Sequence, residues 1–142
     1  MSKIQEFLKN QEKSVMSNVE GKTIIDYFNN NAEEVPEYPA LNTPINSEYT
    51  GWDSVSWSAY RETVHNLASG LIDIGLQAED NAFIVANNVK EHFICDLGIM
   101  HAGGVPSTIY KQLKSGQIEY ISNLLEAKVA FVGDAELFEE VN

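Results

Sequence analysis

From residue 58 onward, two hydrophobic periodicities alternate along the chain. The helical spacing of SAYRETVHNLASGLIDIG gives way to the short apolar run AFIVANN. The same change repeats through KEHFICDLGIMHAG and GVPSTIY, and again through SGQIEYISNLLEA and KVAFVGD. Short strands that are apolar on both faces and alternate with helices are typical of right-handed βαβ crossovers. The pattern therefore predicts an α/β fold with a parallel sheet of βαβ units.

Polar residues at the ends of these segments predict where the helices begin and end. Ser58 is expected to cap the first of them, and Gly75 to end it. Asn88, with Glu91 three residues later, is expected to cap the next helix. A last helix is expected to begin at Ala135. The predicted buried faces are Tyr60, Val64, Leu67, Leu71 and Ile74 in the first helix, and Ile118, Ile121, Leu124 and Leu125 in the third.

The first 38 residues are less regular, and we interpret 1–38 as a helical and irregular lead-in to a unit that covers 39–142. A short helix is expected in residues 1–20, and a second at 23–31 before the prolines that follow. A strand near Ala40 and a turn at 49–51 predict a β-hairpin ahead of the parallel sheet. The apolar faces of the two helices are predicted to be Ile4, Phe7 and Leu8, and Ile24, Ile25 and Phe28.

Charge and cysteine content exclude several classes of partner. The chain has 9 basic and 21 acidic residues, a formal charge of −12, which opposes binding to nucleic acid or to an anionic membrane surface. Cys95 is the single cysteine, so an intrachain disulfide is excluded. The N-terminus is amphipathic and interrupted by charge, unlike a signal peptide. These features predict a cytoplasmic protein and leave a peripheral membrane role open.

Two glycine segments invite comparison with phosphate-binding loops. Gly103-Gly104 follows a helix and precedes a strand, which is the reverse of a dinucleotide-binding turn. Because the C-terminus of a helix carries negative partial charge, we expect the pair to end the helix, with Gly103 left-handed, rather than bind phosphate. Gly21-Lys22-Thr23 resembles the end of a Walker loop, but Met16 occupies the position that requires the earlier glycine.

The remaining candidates for chemistry do not form a recognisable site. His92 and His101 fall on opposite sides of one helix, so they are not expected to bind one metal. His92 and Cys95 could share a face, but a third ligand is missing, and Cys95 is expected to act as a small buried hydrophobe. Asp96 is interpreted as a partly buried acid that is satisfied by a nearby donor. We therefore assign no catalytic, cofactor-binding or metal-binding residue in this sequence.

Three stretches resemble the opening of the adenylate-forming (AMP-binding) superfamily, in particular the long-chain acyl-CoA synthetases. VSWSAYRETVHNLASGLIDIGL is similar to the first core motif of this superfamily, and AFIVANNVKEHFICDLGIMHAGGVPSTIY to the second. QIEYISNLLEAKVAFVGD resembles a stretch typical of the long-chain branch. Val89-Lys90 and His92 depart from the usual Arg-Pro and Trp, and Lys114 replaces the usual capping Ser, a role that Ser115 could take.

The resemblance implies that residues 39–142 are the opening βαβαβ part, still incomplete, of the large domain of an adenylate-forming enzyme. Such an enzyme uses ATP and Mg²⁺ to convert a fatty acid into an acyl-adenylate, and then transfers the acyl group to coenzyme A. The motifs that bind ATP and Mg²⁺, and the catalytic lysine, normally follow later than Asn142. We therefore expect this fragment to bind no cofactor and to have no ligase activity alone.

Two alternatives to the acyl-CoA synthetase remain. The chain could be an amino-acid adenylation or luciferase-like member of the same superfamily, or a self-contained α/β binding module. For the fragment, we expect self-association through an exposed edge of the sheet.

Overall fold

The computed structural model describes residues 3–135 and residue 138. The predicted helix from Ala135 lies almost entirely outside these residues. The elements in chain order are α1 (Lys3–Val19), α2 (Ile24–Glu34), β1 (Pro39–Pro44), β2 (Trp52–Ser56), α3 (Trp57–Asp73), β3 (Asn81–Val85), α4 (Lys90–His101), β4 (Val105–Thr108), α5 (Ser115–Leu125) and β5 (Val129–Val132).

The strands form the two units that the sequence predicts. β1 and β2 pair antiparallel as a hairpin, with Pro44 opposite Trp52 near the turn. β3, β4 and β5 form a parallel sheet in the order β4-β3-β5. Ala82 of β3 lies opposite Pro106 on one side and Val129 on the other. The α/β fold with a parallel sheet and a preceding hairpin is therefore confirmed.

The central strand β3 is buried on both faces, which explains its nearly continuous apolar sequence. Ala82 and Ile84 face a core formed with α3 and α4, which includes Leu71, Leu76 and Ile99. Phe83 and Val85 face a second core on the opposite side, which includes Ile118 of α5. Helices α4 and α5 therefore cover opposite faces of the sheet. Each fully buried isoleucine or leucine in these cores contributes about 1.5–3 kcal/mol through its removal from water.

A third core attaches the lead-in and the hairpin to the α/β unit. Phe28 of α2 is buried against Tyr60 and Val64 of α3, with Ile94 and Leu97 of α4 packed around them. The rings of Phe28 and Tyr60 meet edge to face, with their centres 5.0 Å apart. Helix α2 thus packs on the same side of the molecule as α3 and α4.

Helix α1 is longer than the short helix expected from the sequence, since it covers 17 residues. Its predicted apolar face is exposed: within the described part of the chain, α1 buries none of its side chains. The Tyr27 hydroxyl donates a hydrogen bond to the carbonyl oxygen of Asn18 and so links the end of α1 to α2. Across residues 3–135, no helix combines the length and the apolar content needed to span a membrane.

Three predicted helix caps are wrong by one or two residues. Ser56, rather than Ser58, caps α3, because its Oγ accepts from the Ala59 N–H at 3.3 Å. Val89, rather than Asn88, precedes the first residue of α4 and provides no side-chain cap. At α5 the cap position is Lys114 rather than Ser115, and the Lys114 N–H donates to Gln117 Oε1 at 3.1 Å.

The first of these shifts has a clear cause. The N–H groups of Trp57 and Ser58 donate to the carbonyl oxygens of Tyr38 and Pro36, at 3.0 and 2.9 Å. These hydrogen bonds hold the end of the hairpin against the lead-in. The chain therefore turns into α3 immediately after Ser56, two residues earlier than predicted.

On the predicted apolar faces of α3 and α5, positions near the middle of the helix are buried. Positions at a helix end or at the edge of a predicted face are exposed. Tyr60, Val64 and Leu71 are buried in α3, and Ile118 is buried in α5. Ile24 is 61% exposed, whereas Ile74 and Leu124 are each 70% exposed. Ile24 and Ile74 lie at helix ends, beyond the elements that could cover them. Leu124 lies to one side of the α5 stripe that Ile118, Ile121 and Leu125 form.

Candidate functional site

Gly103 and Gly104 end α4, as the sequence predicts. Gly103 has a left-handed φ of +83°. Its N–H donates to the carbonyl oxygen of Met100 at 3.0 Å, and the N–H of Gly104 donates to Ile99 O at 2.9 Å. This pair of bonds defines a Schellman motif. Because both N–H groups are used within the turn, neither is available to a phosphate.

Gly104 has a second role, which is to bring the start of β4 close to the preceding segment. A Cβ at this position would lie 3.0 Å from Ile99 Cγ2 and 3.1 Å from the carbonyl oxygen of Asp80. The same Asp80 oxygen accepts a hydrogen bond from the Val105 N–H at 2.8 Å. The start of β4 therefore approaches the end of α4 too closely for a side chain at position 104.

Gly21-Lys22-Thr23 forms a helix cap and not a phosphate loop. Thr23 Oγ1 accepts from the Asp26 N–H at 3.3 Å, and the Thr23 N–H donates to Asp26 Oδ2 at 2.7 Å. Hydrogen bonds from the Thr23 backbone and side chain, together with Lys22, lower the pKa of the Asp26 carboxyl. An ionised carboxylate therefore occupies the position that a phosphate would need. Neither glycine segment fits a nucleotide.

The carboxyl ends of the parallel strands form a concave edge of the sheet. The chain passes from β3 to β4 on one side of β3 and then returns to β5 on its other side. Ligands of open α/β sheets bind at the carboxyl ends of the strands, beside such a reversal of strand order. Two clefts lie along this edge, one between β3 and β5 at the reversal and one between β3 and β4. The larger, which we call the strand-end cleft, has a volume of about 380 Å³ and is lined by residues 86–88, His92, Phe93 and residues 108–112.

His92 is the polar side chain that, together with Ala86, lines both clefts. It lines the strand-end cleft and also the neighbouring cleft of about 340 Å³ beside β5. Its Nε2 lies 3.0 Å from Oγ1 of Thr108, the last residue of β4. Polar groups of Asn87, Asn88 and Lys111 lie in the same cleft. This set of groups can orient a polar ligand by hydrogen bonds.

The cleft beside β5 is lined by apolar residues, by Glu91 and His92, and by Cys95. Burial raises the pKa of this thiol, and the acidic neighbours Glu91 and Asp96 raise it further. Cys95 is half-buried against the core of α3, α4 and β3. The expectation that Cys95 acts as a small hydrophobe agrees with these surroundings, although its burial is partial.

Asp96 differs from the expectation in one respect. It is partly buried, as predicted, but among the described residues no donor lies within hydrogen-bonding distance of its carboxylate. Burial raises the pKa of Asp96, and the nearby His92 partly offsets this effect. The sequence argument assumed a donor because buried acids usually have one. In the structure, partial solvation and the proximity of His92 replace it.

Lys90 connects the hairpin to the start of α4. Its Nζ lies 2.6 Å from Asp53 Oδ2. The hydrogen bond to Asp53 raises the pKa of Lys90, as do the charges of Asp53 and Glu91. The ammonium group is therefore committed to Asp53 and is not directed into the strand-end cleft.

The three histidines separate into two locations. His92 and His101 face different surroundings, as the helical spacing predicts: His92 meets Thr108, whereas His101 packs against Phe28. His65 approaches His101, with ring centres 5.2 Å apart, a contact that is not predicted from the sequence. No local signal indicates this pair, because the two residues lie on different helices. Within residues 3–135, no group of three or more His, Cys, Asp or Glu side chains is arranged to hold a metal ion.

The sequence profile of one protein family covers most of the chain. Residues 28–142 match the family described as AMP-binding enzyme. The chain belongs to the AMP-binding enzyme family. The predicted membership of the adenylate-forming superfamily is thus confirmed, and the chain corresponds to the N-terminal part of such an enzyme.

Curated relatives of this AMP-binding chain include enzymes for different acids. It is 28% identical to the long-chain-fatty-acid–CoA ligase heimdall of Drosophila melanogaster over 87% of the chain and 18% of that protein. It is 27% identical to the vibriobactin-specific 2,3-dihydroxybenzoate-AMP ligase of Vibrio cholerae over 81% of the chain and 20% of that ligase. The chain thus spans about a fifth of the length of these relatives.

Solved structures support the same fold. The N-terminal subdomain of NpsA from Klebsiella oxytoca superposes with a TM-score of 0.68 at 19% identity, over 79% of this chain and 28% of that one. NpsA in complex with 3-hydroxyanthranilyl-AMSN superposes with a TM-score of 0.66 at 19% identity, over 77% of this chain and 21% of that one. The chain therefore has the fold of the N-terminal subdomain of NpsA.

Proposed function

We propose that this chain is the N-terminal part of an ATP-dependent acyl-CoA ligase that activates a long-chain fatty acid. The observation that carries the proposal is its similarity to long-chain-fatty-acid–CoA ligases from two animals. The Drosophila relative matches 87% of the chain, and ACSBG2 of Mus musculus is 27% identical over 84% of it. The stretch QIEYISNLLEAKVAFVGD, which forms α5 and β5, points to the same branch.

The proposed reaction has two steps. A carboxylate oxygen of the fatty acid bonds to the α-phosphorus of ATP, and pyrophosphate leaves. The sulfur of coenzyme A then bonds to the acyl carbon, AMP leaves, and the thiol proton is released. Mg²⁺ would neutralise phosphate charge in the first step.

The part of the enzyme described here contributes scaffold to this reaction. Both of its glycine segments have their N–H groups or capping positions occupied, so neither segment offers a site for a phosphate. Its contribution is a rigid sheet, buried on both faces at β3, whose carboxyl edge carries the strand-end cleft. The residues that bind ATP would come from the rest of the enzyme.

A second candidate within the family is an enzyme that activates an aromatic acid. The Vibrio cholerae relative is a 2,3-dihydroxybenzoate-AMP ligase, and its identity of 27% is close to that of the fatty-acid enzymes. A third candidate, from a different class, is a binding module that uses this fold without catalysis. These three candidates predict different results in one experiment.

The experiment uses the product of the complete reading frame that contains residues 1–142. Acyl-CoA formation is measured with ATP, Mg²⁺ and coenzyme A, using palmitate, octanoate, 2,3-dihydroxybenzoate and amino acids as acids. We expect palmitate to give the highest kcat/KM. A preference for 2,3-dihydroxybenzoate or for an amino acid would replace the fatty-acid assignment. A reading frame that ends at Asn142 and yields an inactive protein would favour the binding module.

A further inference from the structure

His101 has a nitrogen lone pair that the protein leaves unused. Its Nδ1 lies 2.8 Å from the carbonyl oxygen of Leu97. A carbonyl oxygen can only accept, so Nδ1 carries the proton and Nε2 carries the lone pair. Nε2 is buried, and it has no hydrogen-bond partner among the described residues. A histidine whose one nitrogen donates to a backbone carbonyl, while the other is free, has the arrangement of a metal ligand.

His65 is placed to be a second ligand. Its ring centre lies 5.2 Å from that of His101, and the ring planes are inclined by 53°. Two imidazoles that bind one tetrahedral ion at metal–nitrogen distances of about 2.0–2.1 Å have ring centres about 5.2 Å apart. The observed separation of the two ring centres matches the value for a shared ion.

One side of the His65–His101 pair is enclosed by protein, and the other side is open to solvent. Phe28 packs edge to face on His101, with ring centres 5.4 Å apart, and closes that side. Oδ1 of the next residue, Asn29, is also buried without a hydrogen-bond donor among the described residues. His65 is exposed, so solvent reaches its ring. Arg61, which lies one turn before His65 on α3, is paired with Glu33 at 3.7 Å.

We propose that His65 and His101 form a two-histidine site for a borderline divalent transition-metal ion such as Zn²⁺, with water completing the coordination. Imidazole nitrogen is a preferred ligand of this class of ion, whereas Mg²⁺ prefers oxygen. The ion would fasten the end of α4 to α3, at the point where α2 packs on both. This site is separate from the ATP-dependent chemistry and does not depend on the proposed function.

The test is metal-dependent stability of the 142-residue chain. Because the ion binds the folded state, about 100 μM Zn²⁺ is expected to raise the Tm of the wild-type chain, and EDTA is expected to reverse the increase. Co²⁺ is expected to give the visible absorption bands of a tetrahedral nitrogen and oxygen site. His65→Gln should abolish both effects, and since His65 is exposed this variant is expected to fold.

A matched control variant distinguishes the His65–His101 pair from the other possible pair of ligands on α4, His92 and Cys95. His92→Gln removes the histidine that lies three residues before Cys95 and should leave both metal effects unchanged. His101→Gln should behave as His65→Gln does. The proposal is overturned if the wild-type chain shows neither effect, if His65→Gln retains them, or if His92→Gln is the variant that loses them.

Discussion

Among single residues, Asp96 lies in a partly buried position that disfavours the ionised form of its carboxyl. Burial raises its pKa above the ordinary value, and His92 offsets only part of this. A carboxyl with a raised folded-state pKa costs stability while it is ionised, and the cost disappears as the pH falls through that pKa. Asp96 is therefore a residue whose neutral analogue should stabilise the fold near pH 7.

We predict that Asp96→Asn increases the free energy of unfolding at pH 7 by less than about 1 kcal/mol, because the carboxyl is still partly solvated. The gain should shrink at about pH 3.5, where the wild-type carboxyl is mostly protonated in both states. Urea unfolding at the two pH values measures both. Glu119→Gln, which removes an exposed carboxylate on α5, serves as the control and should change little. A gain at Asp96 that is equal at both pH values would contradict the assignment.

At the scale of elements, the end of α4 depends on the left-handed backbone of Gly103. Its φ of +83° is a conformation that disfavours a Cβ. Gly103→Ala is expected to lower the free energy of unfolding by about 1–2 kcal/mol. Gly70→Ala is a matched control in the interior of α3, where a Cβ would meet nothing within 4 Å. It should instead stabilise by about 0.5–1 kcal/mol. Equal changes at both sites, measured by urea unfolding, would exclude the proposed role of Gly103.

The elements that sequence reasoning located best are those with a strong local pattern. The apolar run that became β3 predicts a strand buried on both faces, and Gly103 predicts the end of α4. Helix starts were less predictable because contacts distant in sequence decide them. The carbonyl oxygens of Pro36 and Tyr38 hold the first residues of α3, and this moves the cap from Ser58 to Ser56.

The candidate sites were harder to predict than the fold. The glycine segments could be judged from sequence, because their function depends on the order of helix and strand. The strand-end cleft could not be outlined, since its lining comes from the ends of two strands and the segments after them. The His65–His101 pair has no sequence signal at all, because it is formed by the packing of α3 on α4.

The parallel sheet of the whole molecule has three described strands, and its two outer strands differ in how well they could pair with a further strand. In the described part of the chain, β5 has no strand on its outer side. The other outer strand, β4, contains Pro106, which lacks an N–H to donate. Strand β5 is therefore the more suitable edge for pairing with a second copy of the chain.

We predict that the 142-residue chain self-associates as its concentration rises, as measured by sedimentation velocity. Ala130→Lys places a charge at an exposed position of β5 and should shift the chain toward monomer. Gln112→Lys adds the same charge in an exposed loop and should not. A chain that stays monomeric at every concentration, or that responds equally to both changes, would contradict pairing through β5.

We infer that the chain forms part of the scaffold of an adenylate-forming enzyme and does not itself catalyse the reaction of the nucleotide. The most direct measurement is ATP–pyrophosphate exchange by the purified 142-residue chain, with Mg²⁺ and palmitate. The N–H groups of Gly103 and Gly104 are both used in the turn, and Asp26 occupies the cap at Thr23. We therefore predict exchange no faster than in the absence of protein. Exchange that depends on palmitate and rises in proportion to chain concentration would contradict the account.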